Sequence, residues 1–236
     1  MDSKGILTEV TNKLRGVKTA ERKQWAEGYF PTQMEILGAT SADIKPITND
    51  LRKRYKNAEP HEIIDLAKAF SASNIHELQT IGFEVLGRFK ESLKIISADE
   101  LNDIGRNLDN WASVDAFGIL VTGQMWRMGI LSDSTIREWA KSENKWMRRL
   151  ALVSTVPLNQ KSRGGEGDPE RTLKICTLLA AEKEDMVVKA LSWALRELAK
   201  RKTLPVVHFL TEHKNELHSR VKREVTRKIE TGKKNL

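Results

Sequence analysis

The sequence predicts an all-α protein. Only 6 of its 236 residues are proline, and no run alternates apolar and polar residues as a half-buried strand does. Helix-start signals recur instead: residues 97–100 read Ser-Ala-Asp-Glu, a capping box, and residues 40–43 resemble one. Pro60 and Pro169 stand at predicted first helical positions. Together these signals predict about a dozen helices joined by short loops.

From residue 59 onward the predicted helices come in pairs. The second helices of the pairs are expected to begin near Asn74, Trp111, Lys145, Asp185 and Leu217, a spacing of roughly 32 to 40 residues. Such a period without literal identity is typical of an α-solenoid of HEAT-like repeats, whose second helices line a concave and here basic face. We expect a single domain over residues 1–236, with N-terminal helices at 1–58 and repeats at 59–236. A globular helical bundle is the alternative.

Composition favours a polyanionic partner. The net charge is +8 at pH 7 and the isoelectric point is near 9.5, a balance that suits nucleic-acid binding but is shared by many other proteins. The single cysteine, Cys176, lies in an apolar run and is interpreted as a packing residue. No stretch approaches the roughly 20 apolar residues of a membrane span, and the N-terminus lacks a secretory signal. We therefore expect a cytoplasmic protein, associated with the nucleoid in a bacterium.

Known cofactor and metal motifs are missing from the sequence. The runs at His61 and His76 each lack the second histidine of a zinc protease motif, so we expect no metal and no cofactor. The glycines of residues 159–168 lack a phosphate-binding ending and are interpreted as a flexible loop. Residues 220–234 predict a basic amphipathic helix, either solvated or in contact with a DNA backbone.

One carboxylate interrupts an apolar helix predicted from Trp111 to Trp126. Burying Asp115 in this helix costs several kcal/mol unless a cation or hydrogen-bond donors meet it. Asp115 is therefore either paired structurally or kept for chemistry. Trp111 lies four residues earlier and shares its helix face. The other tryptophans at 25, 126 and 139 are interpreted as core residues.

Two further helices contain residues that break their own pattern. In the helix after Lys145, Arg149 falls within the apolar stripe and needs an anion, either Asp115 or a phosphate. Arg148 is expected to point away, together with Thr155. On the helix after Asp185, the core stripe is expected to consist of Val187, Leu191, Ala194, Leu195 and Leu198.

Trp193 falls on the opposite side of that last helix. It shares this side with Lys189, Arg196 and Lys200. An indole among three cations is typical of an exposed nucleic-acid-binding face. Packing against a neighbouring repeat is the alternative.

Three motifs resemble those of the AlkD-like DNA alkylation repair glycosylases. They are Asn-Trp-x-x-Val-Asp at 110–115, Trp-x-Arg-Arg at 146–149 and Lys-Ala-Leu-Ser-Trp-Ala-Leu-Arg-Glu at 189–197, in the family's order and spacing. The resemblance covers most of the chain and includes Tyr29, nine residues before Gly38. It implies an α-solenoid that cradles duplex DNA and excises N3- and N7-alkylated purines without placing the damaged base in a pocket.

The resemblance also implies roles for single residues. Trp111 and Trp193 would contact the deoxyribose and backbone at the lesion, Asp115 would support bond cleavage, and Arg149 would hold the backbone. Further DNA contacts are expected from Tyr29, Thr40, Ser41, Arg148, Lys189, Arg196 and Lys200. Ala112 and Ala42 depart from the acidic residue and the proline that many relatives have at these positions.

The sequence thus predicts a monofunctional alkylpurine DNA glycosylase. Its partner would be double-stranded DNA carrying 3-methyladenine or 7-methylguanine, and it would act as a monomer and leave an abasic site. The rival interpretation is a non-catalytic repeat module that binds DNA or protein, with Asp115 and Arg149 as a buried ion pair.

Overall fold

Helices dominate the computed structural model, which describes residues 1–233. The chain divides into two compact units, one formed by residues 1–121 and the other starting at residue 122. The predicted all-α fold is confirmed. Within residues 1–233, the β-structure is limited to an isolated parallel bridge between Glu35 and Ile75.

The first unit has its core between two long helices. Phe70 of α4 and Ile81 and Phe83 of α5 are fully buried, and the ring of Phe83 lies 4.9 Å from that of Phe117. The helices of this unit are α1 (Ser3–Val17), α2 (Ala20–Tyr29), α3 (Ser41–Arg54), α4 (Pro60–Ala72), α5 (His76–Leu86), α6 (Lys90–Ile95), α7 (Ala98–Ile104) and α8 (Trp111–Phe117).

The second unit packs around α14. Its helices are α9 (Gly123–Arg127), α10 (Asp133–Ala140), α11 (Lys145–Val153), α12 (Val156–Asn159), α13 (Pro169–Leu178), α14 (Asp185–Ala199), α15 (Thr203–Glu212) and α16 (Ser219–Thr231), with a 3₁₀ turn at Lys161–Arg163. Helix α14 contacts α11, α13 and α16. The predicted core stripe of α14 is confirmed, because its five members are fully buried.

Most predicted helix starts are confirmed. The second helices of the pairs begin at His76, Trp111, Lys145, Asp185 and Ser219, each within two residues of the expected position. Among the predicted pairs, α4 packs on α5, α10 on α11 and α13 on α14. Both predicted capping boxes form, and both prolines occupy first helical positions.

Two segments differ from the expectation. The helix predicted from Trp111 to Trp126 changes to π-helical geometry at Gly118–Thr122 before α9. The loop at 159–168 is held by hydrogen bonds rather than left free, since Gly165 N–H donates to the Gln160 carbonyl and Asp168 N–H to the Asn159 side chain. The amide of buried Asn159 also donates to Thr172 Oγ1 at 3.0 Å.

The C-terminal segment forms the predicted amphipathic helix, and Cys176 is a packing residue as expected. Helix α16 buries Val221 and Val225, and its basic side chains are half-buried apart from exposed Arg223. Lys234 lies outside the described residues. Cys176 is fully buried, and this burial raises the pKa of its thiol. No helix within residues 1–233 has the length and apolar character that crossing a membrane would require.

Candidate active site

The first unit contains a cleft of about 380 Å³ between α2, α3 and the starts of α5 and α8. Apolar rings form one side, and polar side chains of the α3 start form the rim. The residues that line this aromatic cleft are Arg22, Trp25, Ala26, Tyr29, Phe30, Gly38, Ala39, Thr40, Ser41, Ile44, His76, Glu77, Thr80, Trp111 and Ala112. Four residues selected from the sequence, Tyr29, Thr40, Ser41 and Trp111, therefore meet in one place.

Trp111 is fixed in this cleft by its neighbours on α2. Its indole N–H donates to the Tyr29 carbonyl at 3.2 Å, and the two rings meet edge to face with centroids 5.1 Å apart. Phe30 makes a second edge contact at 6.1 Å. One hydrogen bond and two ring contacts thus set the orientation of the indole.

Trp25 is not a core residue, so its interpretation from the sequence is wrong. Its side chain is 63% exposed, and its ring stacks on Tyr29 with centroids 4.7 Å apart and an interplanar angle of 26°. Tyr29 is itself 54% exposed. Among the other two tryptophans interpreted as core, Trp126 is buried and Trp139 is half-buried.

A buried carboxylate holds the loop between α2 and α3. Glu77 accepts hydrogen bonds from the backbone amides of Leu37, Gly38 and Ala39 at 2.7 to 3.2 Å. Gly38 has φ of +93°, and a Cβ there would lie 2.7 Å from the backbone nitrogen of Lys23. Only glycine fits this bend, which carries the chain to the start of α3.

Thr40 and Ser41, the two polar residues at the start of α3, have different surroundings. The Thr40 hydroxyl donates to Asp43 at 2.6 Å and accepts from the Asp43 amide, as a capping box requires. Hydrogen bonds from the Thr40 hydroxyl and amide lower the pKa of the Asp43 carboxyl. Ser41 is exposed on the cleft rim, so it is better placed than Thr40 to contact a ligand.

A polar network sets the start of α8. The Asn110 side chain accepts from the Ser113 amide at 3.0 Å and caps the helix. Ser113 Oγ lies 3.2 Å from His76 Nδ1, and burial lowers the pKa of that imidazole. Asp109 accepts from Thr32 Oγ1 and from a backbone amide of the α2–α3 loop, both at 2.6 Å. The loop and the helix that carries Trp111 are thereby tied together.

Asp115 lies one turn after Trp111 on α8. Both side chains are half-buried, as are Ala112 and Ala116, whereas Val114 is fully buried. The predicted shared face of Trp111 and Asp115 is thus confirmed, and it is the partly exposed side of the helix. The Asp115 carboxylate is therefore partly accessible to solvent. In a helix that is apolar on all sides it would be fully buried.

In the second unit, Arg149 points inward as predicted. Arg149 is only 5% exposed, and one of its guanidinium N–H groups donates to the Met186 carbonyl on α14. Arg148 is half-buried rather than turned outward. Its Nε donates to Glu182 at 2.6 Å. Thr155 was expected on the outward side but is fully buried, at the junction between α11 and α12. The Thr155 hydroxyl donates to the Leu152 carbonyl.

The basic side of α14 is largely paired with acidic side chains. Lys189 contacts Asp185 at 2.7 Å and Lys200 contacts Glu197 at 2.6 Å, and each lysine side chain is 45% exposed. Glu197 also accepts from the Trp193 indole at 3.3 Å, and Trp193 is half-buried.

The expectation that Arg196 lies on an exposed face is wrong. Its side chain is 13% exposed and lies 3.8 Å from Glu224 of α16, because α16 covers this part of α14. Burial lowers the pKa of the guanidinium. The exposed part of the face therefore consists of Lys189, Lys200 and part of the Trp193 ring.

Residues that the sequence did not single out complete the cleft. Glu77 and His76 were considered only as part of a metal motif, and Trp25 only as core. The spacing of Trp25 and Tyr29, four residues apart on one helix, is the signal that could have paired them. Within residues 1–233 no three His, Cys, Asp or Glu side chains gather as metal ligands would.

Paired helices, the aromatic cleft and the Trp111–Asp115 face define a helical-repeat protein with a candidate binding site. The sequence matches the family of DNA alkylation repair enzymes over residues 10–229. The chain therefore belongs to the DNA alkylation repair enzyme family, as the three motifs predicted. No curated protein matches the sequence.

Two solved structures have a similar fold. A protein described as a predicted DNA alkylation repair enzyme from Enterococcus faecalis is 19% identical, with a TM-score of 0.72 over 91% of this chain and 97% of the other. AlkD2 from Streptococcus mutans is 18% identical, with a TM-score of 0.55 over 80% of this chain and 89% of the other. At these identities the likeness establishes the fold.

Proposed function

We propose that the protein is a monofunctional DNA glycosylase that removes cationic N3- and N7-alkylated purines from duplex DNA without flipping them into a pocket. The observation that carries the proposal is the placement of Trp111 and Asp115 on one partly exposed face of α8. Membership of a DNA alkylation repair family supports DNA as the substrate. The proposal further assigns 3-methyladenine and 7-methylguanine as substrates.

The chemistry needs little from the enzyme beyond electrostatics. An alkylated purine is already cationic, so it leaves with the electron pair of the glycosidic bond and becomes neutral without a strong general acid. Positive charge then develops on the deoxyribose, and the Asp115 carboxylate stabilises it and orients the attacking water. The water oxygen bonds to C1′ and its proton passes to solvent, which leaves an abasic site.

Trp111 contributes through the face of its indole. The negative face of an aromatic ring attracts cations, and the hydrogen bond to Tyr29 keeps this ring in one orientation. Such preorganisation lets the ring meet the charged sugar without rearranging. Tyr29 and Ser41 would contact the DNA backbone from the rim of the aromatic cleft, with Thr40 acting mainly as the cap of α3.

Residues of the second unit would bind the DNA backbone. Trp193 would contact the deoxyribose, and Arg149 would hold a phosphate near the lesion. Lys189 and Lys200 are exposed enough to exchange their carboxylate partners for phosphates. Arg148 and Arg196 are held by Glu182 and Glu224, so we assign them a supporting role behind this surface.

A non-catalytic binding module is the second candidate. It is favoured by one observation, the burial of Arg149 with a hydrogen bond to the Met186 carbonyl, which suits a structural role. This candidate predicts DNA or protein binding without release of a base.

Product analysis separates the two candidates. Wild-type protein incubated with methylated duplex DNA should release free 7-methylguanine and 3-methyladenine and leave strands that break only on heating in alkali. Borohydride should trap no covalent protein–DNA complex, because a monofunctional enzyme uses water as the nucleophile. Failure of a folded protein to release either base would overturn the proposal, and a trapped complex would overturn the monofunctional assignment.

A further inference from the structure

Trp25 is the outermost ring of a three-ring ladder in the aromatic cleft. Trp111 meets Tyr29 edge to face, and Trp25 stacks on Tyr29. A tryptophan with 63% of its surface exposed loses the free energy that burial would give, since burying apolar area yields about 25 cal/mol per Å². Neither the fold nor the bond-cleaving role of Asp115 requires a ring at this position.

We propose that Trp25 forms a stacking platform for an unpaired nucleobase, which makes it a specificity-determining residue for distorted DNA. The inference rests on the proposed function in one respect, the identity of the partner as DNA. It goes beyond that function because it assigns a base-binding subsite apart from Asp115.

The ladder is built in advance of binding. Tyr29 has one face covered by Trp25 and is met by Trp111 on another side, so the free π-face of the stack belongs to Trp25. The Trp111 hydrogen bond to the Tyr29 carbonyl ties the inner rings together. The surface is therefore ordered before a ligand ring binds, so binding costs little side-chain conformational entropy.

A nucleobase is the flat group that DNA can offer to this platform. In a fully paired duplex the faces of each base are covered by its neighbours. A base becomes available only where the helix is disrupted, by a bulge, a mismatch or a distorted lesion pair, and unstacking is then least costly. Stacking on an aromatic side chain tolerates any base, because every base has a π-face.

The rim of the cleft suits the rest of a nucleotide. Arg22 lies three residues before Trp25 on α2, and its side chain is 47% exposed. One guanidinium nitrogen contacts Asp43 at 3.3 Å and the Val17 carbonyl at 3.4 Å. A guanidinium has five N–H donors, so Arg22 keeps donors for a phosphodiester, and exposed Ser41 adds a hydroxyl.

The test compares two undamaged duplexes, one fully paired and one with a single-nucleotide bulge, by fluorescence anisotropy. Trp25→Leu removes the π-face but keeps an apolar side chain, and Trp25→Phe restores a ring. Leu204→Ala is the control, because Leu204 is 71% exposed on α15 and outside the cleft. Melting temperatures of all variants verify folding, which an exposed position should tolerate.

The expected result is selective. Trp25→Leu should weaken binding of the bulged duplex by roughly tenfold or more, change binding of the paired duplex less than twofold, and be largely rescued in Trp25→Phe. Leu204→Ala should change neither. Equal loss on both duplexes, or no loss on the bulged one, would overturn the inference.

Release of 7-methylguanine, measured on the same preparations, keeps the two proposals distinguishable. Bulge selectivity that depends on Trp25 in a protein that releases no base would support the platform and overturn the glycosylase. Base release without Trp25-dependent selectivity would support the glycosylase and overturn the platform.

Discussion

At the residue scale, His76 connects stability to the position of Trp111. Its imidazole is buried between Phe30, with ring centroids 4.6 Å apart, and Ser113. Glu77 and Asp109 are the acidic groups that act on it and raise its pKa, but burial outweighs them and lowers the pKa below the ordinary 6.5. The neutral imidazole is therefore the form that the folded protein keeps.

This shift makes stability fall in mild acid. Below pH 6.5, the ordinary pKa of histidine, the unfolded chain binds a proton at His76 that the folded chain does not bind. The stability that neutral His76 contributes is therefore fully present above this pH. It is lost as the pH falls towards the lower pKa of His76 in the folded protein. The loss is at most about 1.4 kcal/mol per pH unit. We predict that His76→Asn flattens the slope of melting temperature against pH between 7 and 5.

Exposed His208 supplies the control for this prediction. His208→Asn should leave the wild-type slope in place. A slope unchanged by His76→Asn would show that another group sets the acid response.

Sequence patterns predicted whether a side chain is buried only where the periodicity of its own helix determines this. The α14 stripe and inward Arg149 follow from helical periodicity alone. The exposure of Arg196 was predicted wrongly because α16 covers its side chain. The burial of Trp25 was predicted wrongly because no neighbouring element covers its ring. Periodicity shows which residues share a face, but what lies against that face is a property of the tertiary fold.

At the element scale, the α12–α13 connection is an ordered loop because of its close backbone contacts. A Cβ on Gly165 would lie 2.3 Å from the Pro157 carbonyl oxygen and 2.6 Å from the Leu158 carbonyl. These atoms belong to the backbone and cannot move aside cheaply. We predict that Gly165→Ala destabilises the protein by about 2 kcal/mol and lowers the melting temperature by about 5 °C.

Gly16 provides the matched control, since a Cβ there meets nothing within 4 Å in helix α1. Gly16→Ala should keep or raise the melting temperature, because alanine favours a helix over glycine by up to about 1 kcal/mol. Equal melting temperatures for the two variants would contradict the close packing of Gly165.

Helix starts were predictable from sequence because caps are local. Thr40, Ser97, Pro60 and Pro169 act within four residues, and each behaves as expected. The π-helical segment at Gly118–Thr122 carries no such signal in the sequence. The loop at 159–168 was misjudged for a related reason: glycine marks a loop in sequence, but its order depends on Asn159 and on contacts formed only after folding.

At the scale of the whole molecule, the net charge of +8 predicts salt-sensitive DNA binding. Each lysine that neutralises a phosphate releases a counterion, so affinity should fall steeply as salt rises. For six or more phosphate contacts we expect roughly a 10³-fold loss between 50 and 200 mM salt. Titration of a duplex at several salt concentrations measures this, and a flat response would favour a protein-binding scaffold.

Excision by Asp115→Asn is the measurement that tests the central claim most directly. Asparagine keeps the shape of the side chain but removes the charge that would stabilise the sugar cation. In single-turnover assays on a duplex with one 7-methylguanine, we predict a rate at least about 10²-fold below wild type, with a melting temperature within a few degrees. A folded Asp115→Asn variant that excises the base at the wild-type rate would contradict the assignment of Asp115 as the catalytic carboxylate.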